Sequence, residues 1–215
     1  MGESIKRIVG PYQDSYSPNG IIGEKDACGV GFVANVEGIE SNWILKQSLK
    51  GLNCMEHRGG CGGDSDSGDG AGILCSIPWG YLEEKINLKN TQEFNRGLGM
   101  VFMPNKKEKI EICKSICDEE AEKLKVNKTS WRTVPVNNEI LGPLAKANAP
   151  FICQWILYIN KKDHQDVERL LFQLRKRIEK KIRETFKNDV GDCEFYFASL
   201  SSQTVVYKGM VRSEI

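Results

Sequence analysis

Residues 150–159 form a strongly apolar run that includes Trp155 and Tyr158, and the longest amphipathic stretch of the chain follows at once. From residue 161 to 187, Val167, Leu170, Leu171, Leu174, Ile178 and Ile182 recur at the helical period, which predicts a long helix with one buried stripe. Shorter strands are predicted over residues 73–78, over 97–103 up to Pro104, and over 193–200 and 204–207, with an extended segment over 129–136. The last two strands are joined by Ser201-Ser202-Gln203. Residues 106–125 read as a charged helix with Ile110, Cys113, Ile116, Cys117 and Leu124 on one face. Ser41 or Asn42 caps another, whose apolar positions are Ile44, Leu45, Leu49, Leu52 and Met55. Strands outnumber helices, and the helices fall between strand groups instead of alternating with them. That order predicts an α+β layered sandwich and not a doubly wound parallel sheet. With 215 residues the chain is long enough to bury a real core.

The chemistry centres on Asp26-Ala27-Cys28-Gly29-Val30-Gly31-Phe32-Val33-Ala34. Residues 28–36 read as a buried strand headed by a cysteine, and Gly29 and Gly31 let another backbone or a ligand come close. Residues 1–27 are turn-rich and weakly apolar; they read either as a surface arm or as a removable leader. Cleavage between Ala27 and Cys28 would give residue 28 a free α-amine beside its thiol. An amide nitrogen is no base, but an α-amine titrates at about 7.7–8.0 and can take and return a proton near neutral pH. A thiol titrating at about 8.5 needs only a small push to become the thiolate nucleophile. The competing reading makes Cys28 an ordinary strand cysteine.

Other sites fit less well. Asp64, Asp66 and Asp69 suggest a calcium loop, but an EF-hand starting at Asp64 would place Gly68, Asp69 and Cys75 where an oxygen ligand, glycine and glutamate are required. The eight cysteines, Cys28, Cys54, Cys61, Cys75, Cys113, Cys117, Cys153 and Cys193, show no zinc spacing, and Cys113 and Cys117 read as core residues. No metal site is predicted. His57 beside Arg58 and His164 at a charged helix start are weak partners for a cysteine–histidine dyad. The glycine-rich stretch of residues 58–72 lacks both nucleotide-loop spacings. A net charge of +1 gives no reason to expect nucleic acid or an anionic membrane as partner, and no apolar run is long enough to span a bilayer. Scattered cysteines without a secretory signal predict reduced thiols and a cytoplasmic protein.

Five motifs now stand in order. Asp26-Ala27-Cys28-Gly29-Val30-Gly31-Phe32 is followed by Glu56-His57-Arg58-Gly59-Gly60 and Gly68-Asp69-Gly70-Ala71-Gly72. Gly99-Met100-Val101-Phe102-Met103-Pro104 comes next, and Ser199-Leu200-Ser201-Ser202-Gln203-Thr204-Val205-Val206-Tyr207-Lys208-Gly209-Met210 completes the series. Together they resemble the amino end of glutamate synthase large subunits, the class II glutamine amidotransferase domain. The resemblance implies an N-terminal nucleophile hydrolase fold, a four-layer αββα sandwich. It implies a leader over residues 1–27 and an amidotransferase domain over 28–215, incomplete at its C-terminus. Cys28 is then the nucleophile that splits L-glutamine into glutamate and ammonia. Arg58 and Gly59 orient the site, and the Gly-Asp-Gly-Ala-Gly segment shapes a loop. No cofactor is implied within residues 1–215; FMN and a 3Fe-4S iron–sulfur cluster belong to the full-length family members. There ammonia meets 2-oxoglutarate, and electrons come from ferredoxin or an NADPH-dependent small subunit. The rivals are another class II amidotransferase and a non-catalytic scaffold that keeps its leader.

Two departures follow from the resemblance. Where Gln203 stands the family usually has an arginine that holds the substrate α-carboxylate. A neutral amide cannot make that charge-assisted bidentate contact, a loss on the order of 1–3 kcal/mol. The family's Asn-Gly oxyanion pair is expected beyond Ile215. Removing one oxyanion donor slows acyl transfer about 10²–10³-fold. The isolated, leader-free piece is therefore predicted to be nearly inactive, and a normal glutaminase rate from it would contradict this.

Overall fold

A computed structural model describes residues 29–55, 68, 70–86, 95–160, 163–187 and 194–211. Among them lie helices α1 (Asn42–Cys54), α2 (Trp79–Ile86), α3 (Lys107–Lys123), α4 (Pro143–Ala147) and α5 (His164–Thr185). The strands are β1 (Ala71–Ser76), β2 (Asn95–Met103), β3 (Lys128–Thr133), β4 (Phe151–Ile159), β5 (Tyr196–Ser201) and β6 (Thr204–Gly209). The described strands form a four-stranded sheet in the order β3-β4-β2-β5 and a two-stranded sheet of β1 and β6, all antiparallel. The mixed α+β class expected from the element order is the one observed.

The centre of the molecule is the β2–β4 pair, in register from Asn95 opposite Ile159 to Met103 opposite Phe151. Alternate residues of each strand face opposite ways, and here both faces are covered. Val101, Met103, Trp155, Leu157 and Ile159 pack with the buried stripes of α3 and α5. Leu98, Met100, Phe102, Ile156 and Tyr158 pack instead with Ile77, Leu82 of α2 and Val205 of β6. Double burial explains why residues 150–159 read as a continuous apolar run rather than an alternating one. α1 rests against β1 of the smaller sheet.

Local chemistry accounts for the element ends. Ser41 accepts from the Ile44 N–H at the start of α1, and Asp163 accepts from Gln165 N–H at the start of α5. Pro143 opens α4, where its missing donor is harmless. On α5 the buried residues are the predicted stripe, Val167, Leu170, Leu171, Leu174, Ile178 and Ile182. On α3, Ile110, Cys113, Ile116 and Cys117 are buried as expected. α3 is also tied to the sheet by Asp118, whose carboxylate accepts from Thr129 Oγ1 and from the indoles of Trp131 and Trp155. Those two rings stack with centroids 5.3 Å apart.

One expectation is overturned. The buried strand predicted over residues 28–36 is not formed in its described part, where Val30, Phe32 and Val36 are 96%, 94% and 103% exposed. No described strand pairs with it, and an extended backbone without a ladder has nothing to hold it. Its end is instead a turn, in which Asn35 Oδ1 accepts from the N–H groups of Glu37 and Ile39 and Gly38 has φ +72°. The stripe of α1 is correspondingly thin: no residue of this helix is fully buried. The extended segment predicted over residues 129–136 stops as a strand at Thr133, although Val134 N–H still donates to the Ile152 carbonyl. Short α2 and α4 have no counterpart among the elements predicted from the sequence.

Two glycines fix how the layers approach. Gly72 of β1 lies opposite Lys208 of β6. A Cβ there would come within 2.8 Å of both Lys208 Cβ and the Tyr207 carbonyl oxygen. Gly97 of β2 faces α5, and a Cβ there would stand 3.0 Å from a Leu171 methyl. The contact at Gly97 is with side-chain methyls alone, whereas the backbone opposite Gly72 cannot yield without breaking the pair. Gly72→Ala should therefore destabilise the fold by about 1–3 kcal/mol, read by denaturant unfolding. An unchanged midpoint would show that the two-stranded sheet tolerates separation.

Candidate active site: the turn between the two sheets

β5 belongs to the larger sheet and β6 to the smaller, so the turn at Ser201–Thr204 carries the chain from one sheet to the other. Its hydrogen bonds converge on α5. Glu168 Oε1 accepts from Ser201 Oγ at 3.0 Å, from Ser202 N–H at 2.6 Å and from Ser202 Oγ at 2.7 Å. Ser201 Oγ in turn accepts from the N–H groups of Gln203 and Thr204. The Gln203 carbonyl accepts from Ile77 N–H at 3.0 Å, just past the end of β1. Gln203 is thus held through its backbone at both ends while its side chain is exposed.

The glycine segment stands at the other end of the smaller sheet. Gly68 is buried, Gly70 has φ +122° and Gly72 lies against β6. Gly70 and Gly72 share a close approach to the backbone of β6, which supports a shaping role. Beside them opens a cleft of about 1350 Å³, lined by Leu49 and Leu52 of α1, Leu74 of β1, and Val206, Lys208 and Met210. Lys208 Nζ lies 4.7 Å from the centre of the Tyr196 ring, which stacks on Phe102. The lining is chiefly apolar, and Gln203 does not contribute to it.

Polar groups also cross the interior between the sheets. Gln154, buried in β4, accepts from Arg132 through Oε1 and donates through Nε2 to the Tyr207 hydroxyl. Burial raises the Tyr207 phenol above its ordinary range. On the helix layer, Glu120 accepts from Lys123 and Arg177, and these bonds outweigh its burial and lower its carboxyl. Nothing in the local sequence of Gln154 or Glu168 announces these roles, since each partner lies tens of residues away in the chain.

Of the residues singled out by sequence, Cys28, Arg58 and Gly59 lie outside the described residues, as do His57, Asp64, Asp66 and Asp69. Gln203 is on the turn, and the structure does not bring it to the cleft. His164 is exposed at the first position of α5. Among the described residues no three His, Cys, Asp or Glu side chains gather as a metal site would require, so no donor set for an iron–sulfur cluster is present there. Nor is any described helix long and apolar enough to cross a membrane.

The chain belongs to the family of class-II glutamine amidotransferases, whose family model matches residues 28–215. It is similar to ferredoxin-dependent glutamate synthases. The chloroplastic protein of Oryza sativa subsp. japonica is 42% identical over 209 residues, covering 95% of this chain and 13% of the relative. Ferredoxin-dependent glutamate synthase 1 of Arabidopsis thaliana, chloroplastic/mitochondrial, is 42% identical over 198 residues, covering 90% of this chain and 12% of the relative. The Pyropia yezoensis protein of the same name is 38% identical over 218 residues, covering 100% of this chain and 14% of the relative. The chain therefore spans about an eighth of the length of these curated relatives.

Three of the described thiols are poorly suited to nucleophilic work. Burial raises Cys75 and Cys117, and it pushes the Cys153 thiol up to about 11. Unfolded thiols ionise at about 8.5, so the folded chain favours the neutral form and its stability is full below that pH. Stability should fall as pH rises from about 8.5 towards 11, as the unfolded thiols ionise first. Denaturant unfolding at pH 7.5 and 9.5 checks this, and Cys153→Val should flatten the decline.

Proposed function

We propose that this chain is the glutaminase portion of a glutamate synthase, with residue 28 as its nucleophile and residues 1–27 a removable leader. The observation that carries the reading is the family match, which opens at the cysteine itself and runs through residue 215. The architecture supports the αββα form of an N-terminal nucleophile hydrolase. α3 and α5 cover one face of the larger sheet, β1 and β6 the other, and α1 contacts β1.

In the proposed reaction the α-amine of Cys28 takes the thiol proton, and the thiolate adds to the side-chain amide carbon of L-glutamine. The carbon–nitrogen bond then breaks, the proton passes to the departing nitrogen, and ammonia leaves a γ-glutamyl thioester. The same amine deprotonates a water that adds to the thioester carbon; the carbon–sulfur bond breaks, releasing glutamate and restoring the thiol. Arg58 and Gly59 orient the substrate. Gln203 donates its side-chain amide to the substrate α-carboxylate, a neutral contact weaker than a guanidinium would make.

The ammonia is used with 2-oxoglutarate at a flavin site outside residues 1–215, where FMN and an iron–sulfur cluster would supply the reducing electrons. No three donor side chains gather among the described residues, and the steps above involve only the cysteine, its amine and water. The relatives' names favour ferredoxin over an NADPH-dependent small subunit as electron donor. The cytoplasm is the proposed compartment on the scattered thiols, while the rice relative is named chloroplastic.

Cys28→Ser in the full-length protein should abolish glutamine hydrolysis with the fold unchanged. A glutamine-mimicking alkylator should label residue 28 in the parent, and mass spectrometry should find active material beginning at that residue. An adduct on any other side chain, or active protein that retains residues 1–27, would overturn the assignment.

A further inference from the structure

We infer that Glu168 is a positioning residue for substrate binding, holding the sheet-crossing turn so that the Gln203 side chain meets glutamine in a preset orientation. This rests on the reading of Gln203 as a substrate contact given above.

The remaining acidic side chains of α5 with ion pairs serve the helix itself. Asp166 pairs with Arg169, Glu179 with Arg175 and Lys176, and Glu184 with Lys180, each three or four residues away. Glu168 reaches across to a different element 33 residues on and takes three donors from two consecutive serines on one oxygen. Hydrogen bonds to a carboxylate are roughly twice as strong as neutral ones, so this part of the turn is firmly restrained. The restraint is passed on, because the Ser201 hydroxyl that donates to Glu168 also accepts from the backbone of Gln203 and Thr204.

The height of Glu168 over the sheet is set one turn further along α5. There Leu171 sits on Gly97, where a missing Cβ lets the helix approach β2 closely. With its N–H and carbonyl both engaged, Gln203 keeps freedom only in its side chain. A contact group on a fixed backbone loses less entropy when ligand binds, and a shift of about 1 Å in such a group can cost up to 10²-fold.

The test uses steady-state glutaminase kinetics of the full-length protein with melting temperatures in parallel. Glu168→Ala should raise KM for glutamine about tenfold while kcat stays within about twofold. Glu168→Gln keeps an acceptor oxygen at the same place and should restore KM to within about threefold of the parent. Gln203→Ala should raise KM similarly, and the double variant should raise it no further, since both changes remove one contact. Should Glu168→Ala fail to fold, Ser202→Ala removes a single hydroxyl donor and should raise KM about threefold.

If Gln203→Ala raises KM and Glu168→Ala does not, the inference fails while the reading of Gln203 stands. A lowered melting temperature and kcat with KM unchanged in Glu168→Ala would mark a merely structural role and overturn it. Additive effects in the double variant would overturn it too. If neither variant moves KM although Cys28 is still trapped by the alkylator, Gln203 is no substrate contact and the inference falls with it.

Discussion

The β2–β4 pair is buried on both faces, and every other layer is placed by that fact. A sheet with apolar side chains above and below its central strands must be covered twice. Here α3 and α5 supply one cover, while β1, β6 and α2 supply the other. Removing either would expose aromatic and aliphatic side chains such as Trp155 or Phe102, which are almost wholly excluded from water.

That two-sided burial also dictates where the chain must change layers. The order β3-β4-β2-β5 leaves β5 at an edge, and from an edge the chain can cross to the smaller sheet in a few residues. The crossing falls at Ser201–Thr204, in contact with α5 on one side and with the end of β1 on the other. A turn tied to two other elements is firmly held, and Gln203 is exposed on it.

Much of this architecture was legible in the sequence because it follows from periodicity. The α5 stripe, the apolar face of α3 and both central strands could be read within short windows, and Ser41 marks the start of α1 by local chemistry. What was not legible is what depends on partners. Residues 29–36 have an apolar, β-branched composition suited to a strand, yet composition does not supply a neighbour for the ladder. α2 is two turns long and gives too few repeats for its period to stand out. The pairing of β1 with β6 joins segments more than a hundred residues apart, and Glu168 reveals its partners only after α5 has docked. For the candidate site, the motifs named Cys28, Arg58, Gly59 and Gln203. The structure adds the framework around Gln203, and the first three lie outside the described residues.

The shared carboxylate of Asp118 has a spectroscopic consequence. Two of the four tryptophans, Trp131 and Trp155, donate to that one acceptor on α3 while stacking on each other. Their emission is therefore sensitive to whether α3 is seated on the sheet, independently of events at the Ser201–Thr204 turn. Lifting the helix away would remove that acceptor and admit water to both rings at once, so intrinsic fluorescence can follow this layer of the fold without an added label.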